Sequence, residues 1–461
     1  MKQEQLIALC KRYRAVLLES DDETLNIAVV GDPGSQLLDS LRFATQKRID
    51  IECWSQEKMD QHLLLSSQTH LPAVSEGGGT AVDVLNQILE QALLQRASDI
   101  HFEPLTDKMR IRLRVDGVLH ALKVIPFALV ATVIARLKVL GNLDIAERRV
   151  PQDGQFSVEL AGKWVSFRIA TLPGKNGEKV VLRLLHQVEQ ALDIHQLGMT
   201  ALQLEAFSNA LKTPQGLLLV TGPTGSGKTV TLYSALQSLN SPAVNICSVE
   251  DPIEIPLEGI NQTQINLRAG LTFQNVLRAF LRQDPDIIMV GEIRDGDTAE
   301  IAIKAAQTGH LVLSTLHTNS TTEALIRLQQ MGVARWMLSS SLLLVVAQRL
   351  VRKLCPHCRT LTGEHTAIPA TLWKRPLPRW QAAGCDRCYH GFYGRAALFE
   401  VLAIEGESRQ ALASDLSAAA LESQARRAGM TTLFENGCLA VEQGLTTVEE
   451  LLRVLGTPHD N

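Results

Sequence analysis

The residues with the clearest chemistry lie in one run that reads Gly-Pro-Thr-Gly-Ser-Gly-Lys-Thr. This run fits the phosphate-binding pattern G-x-x-x-x-G-K-[ST], in which the N–H groups of a glycine-rich backbone surround an anion. Lys228 would reach the outer phosphates of a triphosphate, and the Thr229 hydroxyl would hold Mg²⁺. The sequence therefore predicts an ATP site made of Gly222, Pro223, Thr224, Gly225, Ser226, Gly227, Lys228 and Thr229.

A strand before this loop and a helix after it are needed to position these residues. Residues 216–220 form a short apolar run typical of a buried strand, and residues 230–239 are typical of a helix that ends at Asn240-Ser241-Pro242. The positive end of the helix dipole would face the phosphates. This context favours a phosphate-binding loop over a chance match.

Three more side chains follow apolar runs that we interpret as strands. Glu250 follows residues 245–249, Glu292 follows residues 286–290, and His317 follows residues 311–315. Strands that alternate with helices indicate a parallel, doubly wound sheet, whose ligands lie beyond the carboxyl ends of the strands. We therefore expect Glu250, Glu292 and His317 to face one nucleotide.

Hydrolysis of ATP requires an oriented water, and the three side chains differ as candidates for this role. Glu292 is the first choice, although Gly291 stands where many ATPases place an Asp linked to Mg²⁺. Glu250 is the second choice, and His317 would sense the γ-phosphate or position the water. The alternatives are an exposed carboxylate for Glu292 and a structural histidine for His317. Two further residues could be structural or functional, Glu254 and His310.

Transition-state charge is often met by arginine, in many cases from another subunit. Exposed faces of two predicted hairpins carry Arg112, Arg114 and Arg168, which are either solvated or directed toward nucleotide on a neighbouring domain or subunit. The sequence does not rank four further candidates, which are Arg278, Arg282, Arg294 and Arg349.

Two C-x-x-C pairs are separated by 26 intervening residues. Four thiolates can form a closed tetrahedral zinc site. We predict structural Zn²⁺ bound by Cys355, Cys358, Cys385 and Cys388, in an irregular segment that the metal would hold together. The alternative is two unrelated pairs. The scattered cysteines are predicted to be small buried hydrophobes, and they are Cys10, Cys53, Cys247 and Cys438.

Composition places this site in an ordinary globular chain. Of 461 residues, 45% are hydrophobic and 20% charged, and the net charge of −4 argues against a nucleic-acid partner. No apolar run approaches the ~18 residues of a membrane span, and the first residues lack the apolar core of a signal peptide. We therefore expect a cytosolic protein that associates with membranes through a partner.

The pattern divides the chain into an α/β docking domain and two larger units. We predict the docking domain at 1–70, with a helix over 36–45, and a glycine-rich linker at 71–80. A second domain of antiparallel hairpins follows at 81–200. The ATPase domain spans 205–461 and includes a zinc module at 353–395 and a helical region at 396–461.

These motifs, in this order, resemble the ATPases that drive type IV pilus assembly and type II secretion. The resemblance is close from about residue 80 to 461 and loose over 1–70. Besides the phosphate loop and the tetracysteine, it rests on several stretches, which are Arg96-Ala-Ser-Asp-Ile-His101, Pro151-Gln-Asp-Gly154, Gly177-Glu-Lys-Val-Val-Leu-Arg183, Val249-Glu-Asp-Pro252, Leu281-Arg-Gln-Asp-Pro-Asp286, Gly291-Glu-Ile-Arg-Asp295, Ser314-Thr-Leu-His-Thr318 and His390-Gly-Phe-Tyr-Gly-Arg395.

The resemblance implies a RecA-like P-loop core behind an α+β, PAS-like N-terminal domain, and a homo-hexameric ring that clamps ATP between two domains. It implies an Asp box around Glu250 and Glu254, a Walker-B-like Glu292 and a His box that ends at His317. It also implies a cytoplasmic motor docked on an inner-membrane platform protein, in the tetracysteine-containing assembly branch. Gln155 departs from the family, which often has Arg there, so Arg168 becomes the better candidate.

Three functions are compared on this basis. An assembly motor for a pilus or a secretion pseudopilus accounts for every motif. A nucleic-acid translocase on a similar core would need a basic stripe. A non-hydrolysing scaffold would not need Lys228, Thr229 and Glu292 together.

Overall fold

A computed structural model gives the fold, and it describes residues 15–20, 24–30, 45, 47–54, 80–160, 162–185, 192–369, 372–414 and 418–456. Near the amino end, β2 (Thr24–Val30) pairs antiparallel with β1 (Val16–Ser20) and parallel with β3 (Arg48–Trp54). Strands were predicted at both β2 and β3. The helix predicted over 36–45 and the linker, apart from Thr80, lie outside the described residues, as does Cys10.

The second domain contains a six-stranded antiparallel sheet in the order β6-β5-β4-β9-β8-β7. Apolar residues alternate along its strands, and every second side chain packs with two helices in one core on a single face. The elements are α1 (Ala81–Leu94), β4 (Ala97–Pro104), β5 (Lys108–Val115), β6 (Val118–Pro126), α2 (Phe127–Leu140), β7 (Gln152–Leu160), β8 (Lys163–Gly174) and β9 (Gly177–Leu185).

The ATPase core is a seven-stranded sheet in the order β12-β11-β13-β14-β10-β15-β18. All neighbouring pairs are parallel except β15 with β18, and two buried apolar clusters cover the faces of the sheet. The strands are β10 (Gly216–Thr221), β11 (Ile246–Glu250), β12 (Asn261–Gln264), β13 (Ile287–Val290), β14 (Leu311–Leu316), β15 (Leu342–Leu354) and β18 (Phe392–Ala403).

Helices connect these strands and cover the carboxyl-terminal part of the core. They are α3 (Ala201–Leu211), α4 (Lys228–Leu239), α5 (Phe273–Phe280), α6 (Gly296–Gln307), α7 (Thr321–Gln330), α8 (Arg335–Ser341), α9 (Gly406–Ala413), α10 (Ala418–Arg427), α11 (Leu433–Glu442) and α12 (Val448–Leu455).

Four details differ from the sequence-based predictions. The sequence spaces Asp297 and Glu300 like an N-terminal cap pair, but Asp295 caps α6, because its carboxylate accepts from the N–H of Thr298 at 2.8 Å. The segment between the cysteine pairs holds a hairpin, β16 (Arg359–Thr366) with β17 (Leu377–Ala382), where an irregular loop was expected. The region 396–461 begins within β18 rather than in a helix. Cys53 is exposed, whereas Cys247 and Cys438 are buried as predicted.

Candidate nucleotide and metal sites

The phosphate-loop segment connects β10, which is buried along its whole length, to α4, which begins at Lys228. The loop has no room for side chains at two of its glycines. A Cβ on Gly222 would lie 2.5 Å from the carbonyl oxygen of Gln348, and one on Gly227 would lie 2.8 Å from the Gln348 amide nitrogen. Both glycines also have positive φ. The chain therefore requires glycine here for steric reasons.

Two buried polar side chains in this loop lack a charged or side-chain partner among the described residues. The Lys228 ammonium donates to the carbonyl oxygens of Gly222 and Pro223, at 2.7 and 3.2 Å, and burial lowers its pKa to about 8. The Ser226 hydroxyl is buried without a hydrogen-bond partner in the described part of the chain. Buried donors in this state favour an anionic ligand that would accept their hydrogen bonds. Thr229 is exposed on the first turn of α4.

Glu292 and His317 come from neighbouring strands and meet beside this loop. The Thr315 hydroxyl donates to the Gly291 carbonyl at 2.7 Å, and the Ile293 N–H donates to the Thr315 carbonyl at 3.0 Å. These bonds hold the ends of β13 and β14 together and place the His317 Nε2 atom 3.2 Å from the Glu292 carboxylate.

The charges around this pair set its protonation. Burial alone would raise the pKa of Glu292, but the guanidinium of Arg294 and His317 outweigh it and hold that pKa below its ordinary value. The pKa of His317 is lowered, first by burial and then by the positive charge of Lys228. At neutral pH the site therefore presents an ionised carboxylate and a neutral imidazole.

A threonine pair ties the histidine segment to the phosphate loop. The Thr318 N–H donates to the Thr221 hydroxyl at 2.9 Å, and the two hydroxyl groups are 2.7 Å apart. Thr221 is the last residue of β10 and Thr318 follows His317 directly, so this contact fixes His317 relative to the loop. Neither threonine was predicted as a site residue. The sequence feature that could have indicated this contact is a threonine at the end of each of two neighbouring strands.

Glu250 ends β11 and is almost fully buried. Its carboxylate accepts from Ser248 at 2.7 Å, from Gln262 at 3.1 Å and, in a very short contact, from the hydroxyl of Tyr233 on α4. Burial and this carboxylate raise the pKa of Tyr233. The contact with Tyr233 anchors α4, and hence the end of the phosphate loop, to the end of β11.

The candidate arginines fall into separate places. Arg294 lies at the site, where it contacts Glu292 and stands 3.7 Å from Asp251. Arg168 lies on β8 of the second domain, directly across from Arg183 of β9. The other two share α5 and its end, where the Arg282 guanidinium donates to the Arg278 carbonyl. Among the described residues, Arg294 is the candidate arginine that contacts the Glu292–His317 pair.

A further arginine lies beside the loop. Arg349 donates to the Asn319 side chain at 2.8 Å and to the Gln348 carbonyl at 3.3 Å, and burial lowers its pKa. Gln348 packs on the loop, a contact that was not predicted from the sequence. Its side chain also accepts from Thr231 of α4 at 2.7 Å. Both residues belong to β15, the neighbour of β10.

The remaining candidates do not join the site. His310 precedes β14 and contacts the Ala305 carbonyl at 3.0 Å. It therefore lies at the opposite end of this strand from His317. Glu254 is exposed in the segment after β11. On the second-domain sheet, Arg112 and Arg114 pair with Glu103 and Asp99, at 2.7 and 3.7 Å.

The four cysteines of the two C-x-x-C pairs converge. Their sulfur atoms all lie within 4.8 Å of one another, although the pairs are separated by the β16–β17 hairpin. The Cys355 and Cys385 sulfurs are 3.8 Å apart, and the Cys358 and Cys388 sulfurs are 3.7 Å apart. These separations exceed a disulfide bond, and all four cysteines are free thiols that could hold a metal ion.

A known protein family matches most of this sequence. The family described as "Type II/IV secretion system protein" matches residues 75–453, which include the phosphate loop, both strand-end acids and the tetracysteine. This chain belongs to that family.

Relatives within the secretion family are similar along most of their length. The chain is 67% identical over 456 residues to the "Protein transport protein HofB homolog" of Escherichia coli (strain K12), with 99% of each chain covered. It is 46% identical to the "Type II secretion system ATPase E" of Vibrio cholerae, covering 82% of this chain and 76% of the relative. It is 43% identical to the "Type IV pilus assembly ATPase PilB" of Pseudomonas aeruginosa, covering 95% and 77%.

Solved structures agree on the fold. The pilus retraction motor PilT with bound ADP is similar at a TM-score of 0.54 and 26% identity, covering 82% of this chain and 97% of that one. The ATPase DotB of Legionella pneumophila has a TM-score of 0.60 at 21% identity, covering 82% and 96%. The predicted mixed α/β fold with a parallel P-loop sheet is thereby confirmed. Among the described helices, none is both long and apolar enough to cross a membrane.

Proposed function

We propose that this chain is a Mg²⁺-dependent ATPase that powers assembly of a type IV pilus or a type II secretion pseudopilus. One observation carries the proposal. The phosphate loop, with its buried Lys228, follows β10. In the same sheet, Glu292 and His317 follow the neighbouring strands β13 and β14, and their side chains are 3.2 Å apart. Membership of the secretion family, whose relatives include a type II secretion ATPase and a pilus assembly ATPase, supports it.

Each side chain has a role that follows from its surroundings. The phosphates replace the loop carbonyls as partners of Lys228 and accept from Ser226. Thr229 would hold Mg²⁺, which neutralises charge on the phosphates. Glu292, kept ionised, accepts a proton from the attacking water and orients it, while neutral His317 positions the γ-phosphate or that water.

The arginines that meet transition-state charge are assigned on the same grounds. Arg294 is the candidate within the chain, because it already contacts Glu292. We propose that Arg168, Arg278 and Arg282 act, if at all, between domains or across subunits of a homo-hexamer. Glu250 is proposed to act through the loop, since its carboxylate is taken up by protein donors, one of which is Tyr233 of α4.

The tetracysteine is proposed to hold structural Zn²⁺. A tetrahedral site with Zn–S bonds of about 2.3 Å separates its sulfurs by roughly 3.8 Å. The separations of 3.7 and 3.8 Å fit this geometry, and all four sulfurs lie within 4.8 Å of one another, which supports a shared metal ion. The metal would tie the two ends of the β16–β17 hairpin together.

The proposed setting is a cytoplasmic ring that docks on an inner-membrane platform protein. The named relatives work in secretion and pilus assembly, and no described helix of this chain could cross a membrane by itself. We propose that the second domain and the ATPase domain change their relative orientation during hydrolysis, which the ring transmits to the membrane complex.

The test is turnover of ATP by the purified chain. We expect Mg²⁺-dependent phosphate release that EDTA abolishes and that Lys228→Ala reduces by at least about 10²-fold, because the phosphates lose their cation. Lys304→Ala is the matched control, since Lys304 is an exposed lysine that pairs with Glu300 on α6. Absence of hydrolysis from a homogeneous ring, or full turnover in Lys228→Ala, would contradict the proposal.

A further inference from the structure

The loop that follows Cys388 joins the tetracysteine to β18 and contacts the second domain. This docking loop, residues 389–394, receives four contacts from that domain. The Gly394 N–H donates to the Asp116 carboxylate at 3.0 Å, and the Arg96 guanidinium lies over the Tyr393 ring at 3.9 Å from its centroid. The His120 ring meets Tyr389 edge-on, at 4.5 Å between centroids.

These contacts form a small network of charges and rings. Arg96 lies 3.5 Å from the same Asp116 carboxylate that accepts from Gly394, so one carboxylate holds both the arginine and the loop backbone. His120 also stacks on His390, at 5.5 Å between centroids. Sequence separation between the two sides is large, so chain connectivity alone does not bring them together.

Backbone conformation supports a specific role for this contact. In the described part of the chain, five non-glycine residues have positive φ, and three of them lie here. They are Arg96 (φ 54°), Asp116 (φ 48°) and His390 (φ 49°). The φ of Asp116 follows from the two-residue turn that it forms with Gly117 between β5 and β6, and this turn presents the Asp116 carboxylate to the docking loop.

The docking loop depends on the cysteine module for its position. It begins at the residue after Cys388, and its Gly391 carbonyl accepts from the Cys355 N–H at 2.9 Å. A Cβ on Gly391 would lie 2.5 Å from Ala382 of β17, so the loop packs tightly on the hairpin between the cysteine pairs. The thiols and the docking loop therefore share one framework.

We propose that the tetracysteine module is a metal-dependent seat for the second domain, in which a bound metal fixes residues 389–394 so that Arg96, Asp116 and His120 dock on them. This inference rests on the proposed zinc site. Loss of the metal frees the loop, and with it the orientation of the second domain relative to the ATPase core. During the movement proposed for the motor, the second domain would then pivot at the docking loop, whose position the metal maintains.

The experiment perturbs one side of the contact and measures the other by amide hydrogen exchange on the full chain. In the first arm, zinc-loaded protein is compared with protein treated with a chelator, and metal content is measured in parallel. We expect exchange in residues 113–121 of the second domain to rise at least about fivefold. The turn between β8 and β9, for which the described residues show no contact with the docking loop, is the internal control.

In the second arm the metal stays in place. Asp116→Gly removes the carboxylate but keeps a residue for which φ of 48° is unstrained, so the β5–β6 turn is retained. We expect unchanged metal content and faster exchange in residues 389–395. The matched control is Asn142→Gly, which relieves the same positive φ at a residue away from the docking loop.

The outcomes separate this inference from the zinc proposal. A chain that binds no metal at the four cysteines contradicts the zinc site, and metal dependence falls with it. Zinc-loaded protein in which chelation speeds exchange near the cysteines but not in residues 113–121 overturns this inference alone. The inference is also overturned if Asp116→Gly leaves exchange in residues 389–395 unchanged, because the contact then does not exist in solution.

Discussion

Glu250 and Glu292 follow neighbouring parallel strands, yet the two carboxylates are held by different kinds of partner. Glu250 is 4% exposed and accepts from uncharged donors, which are Tyr233, Ser248 and Gln262. Glu292 is more open and contacts Arg294 and His317, whose side chains are themselves about half exposed. An acid enclosed by neutral donors fixes its neighbours. An acid beside exposed charged partners can exchange them for water and phosphate.

Glu292→Gln should break this comparison most strongly. The amide keeps the shape of the side chain but cannot take a proton from water, so we expect kcat to fall at least about 10²-fold. The melting temperature should change little, because the pairs of Glu292 are partly exposed. Phosphate release and thermal melts measure the two effects.

The control for this variant is Glu300→Gln, which alters an exposed acid on α6. Turnover within a few-fold of the wild type in Glu292→Gln would show that its carboxylate does not activate water. Glu250 would then be the better candidate for that role.

Glu250→Gln should give the opposite pattern, with a clear loss of stability. The amide carries no charge, so the buried partners lose their charge-assisted acceptor, and one hydroxyl must turn to accept from the new amide N–H. We expect about 1–3 kcal/mol less free energy of unfolding. Urea denaturation measures it, with the exposed Glu364→Gln as control. An unchanged free energy of unfolding would mean that Glu250 does not anchor α4.

Sequence reasoning placed both acids correctly at strand ends but could not distinguish their surroundings. Motif spacing and apolar runs are local, and they predicted the phosphate loop, the strand that precedes Glu292 and the convergence of the cysteines. The partners of Glu250 come from α4 and β12, and Gln348 reaches the loop from β15. Such contacts depend on strand order in the sheet, which an unaligned sequence does not encode in any short pattern.

The same limit explains the errors at element ends. Asp295 and Asp297 both suit a helix cap, and only the backbone shows which carboxylate meets the N–H of Thr298. The β16–β17 hairpin was missed because Pro376 and Pro378 suggested an irregular segment. Proline is compatible with an edge strand, and β17 pairs on one side only.

Arg294→Gln sharpens the comparison through pH. Burial raises the pKa of Glu292 and the arginine lowers it, so removing the guanidinium should move that pKa upward. We expect the acid limb of the kcat/KM profile to shift to higher pH, beneath a plateau lowered about tenfold or more because the guanidinium proposed to meet transition-state charge is also gone. Arg327→Gln, an exposed arginine on α7, is the control. A limb that stays in place would show that Arg294 does not control the ionisation of Glu292.

His317→Asn should have the smallest effect on stability, and its sign can be derived. The folded protein holds the pKa of His317 below the unfolded value, through burial and Lys228, so the unfolded chain binds more protons as pH falls through about 6.5. His317 therefore contributes stability that is present above that pH and lost below it. Between pH 7 and 5, the melting temperature of His317→Asn should fall less than that of the wild type. The control is His365→Asn, at an exposed histidine of β16, whose melting temperature should fall as in the wild type. A slope unchanged by His317→Asn would mean that the imidazole is as easily protonated in the folded site as in water. His317 would then differ little from a solvated histidine, and the neutral imidazole assigned to the Glu292 side of the comparison would have to be abandoned.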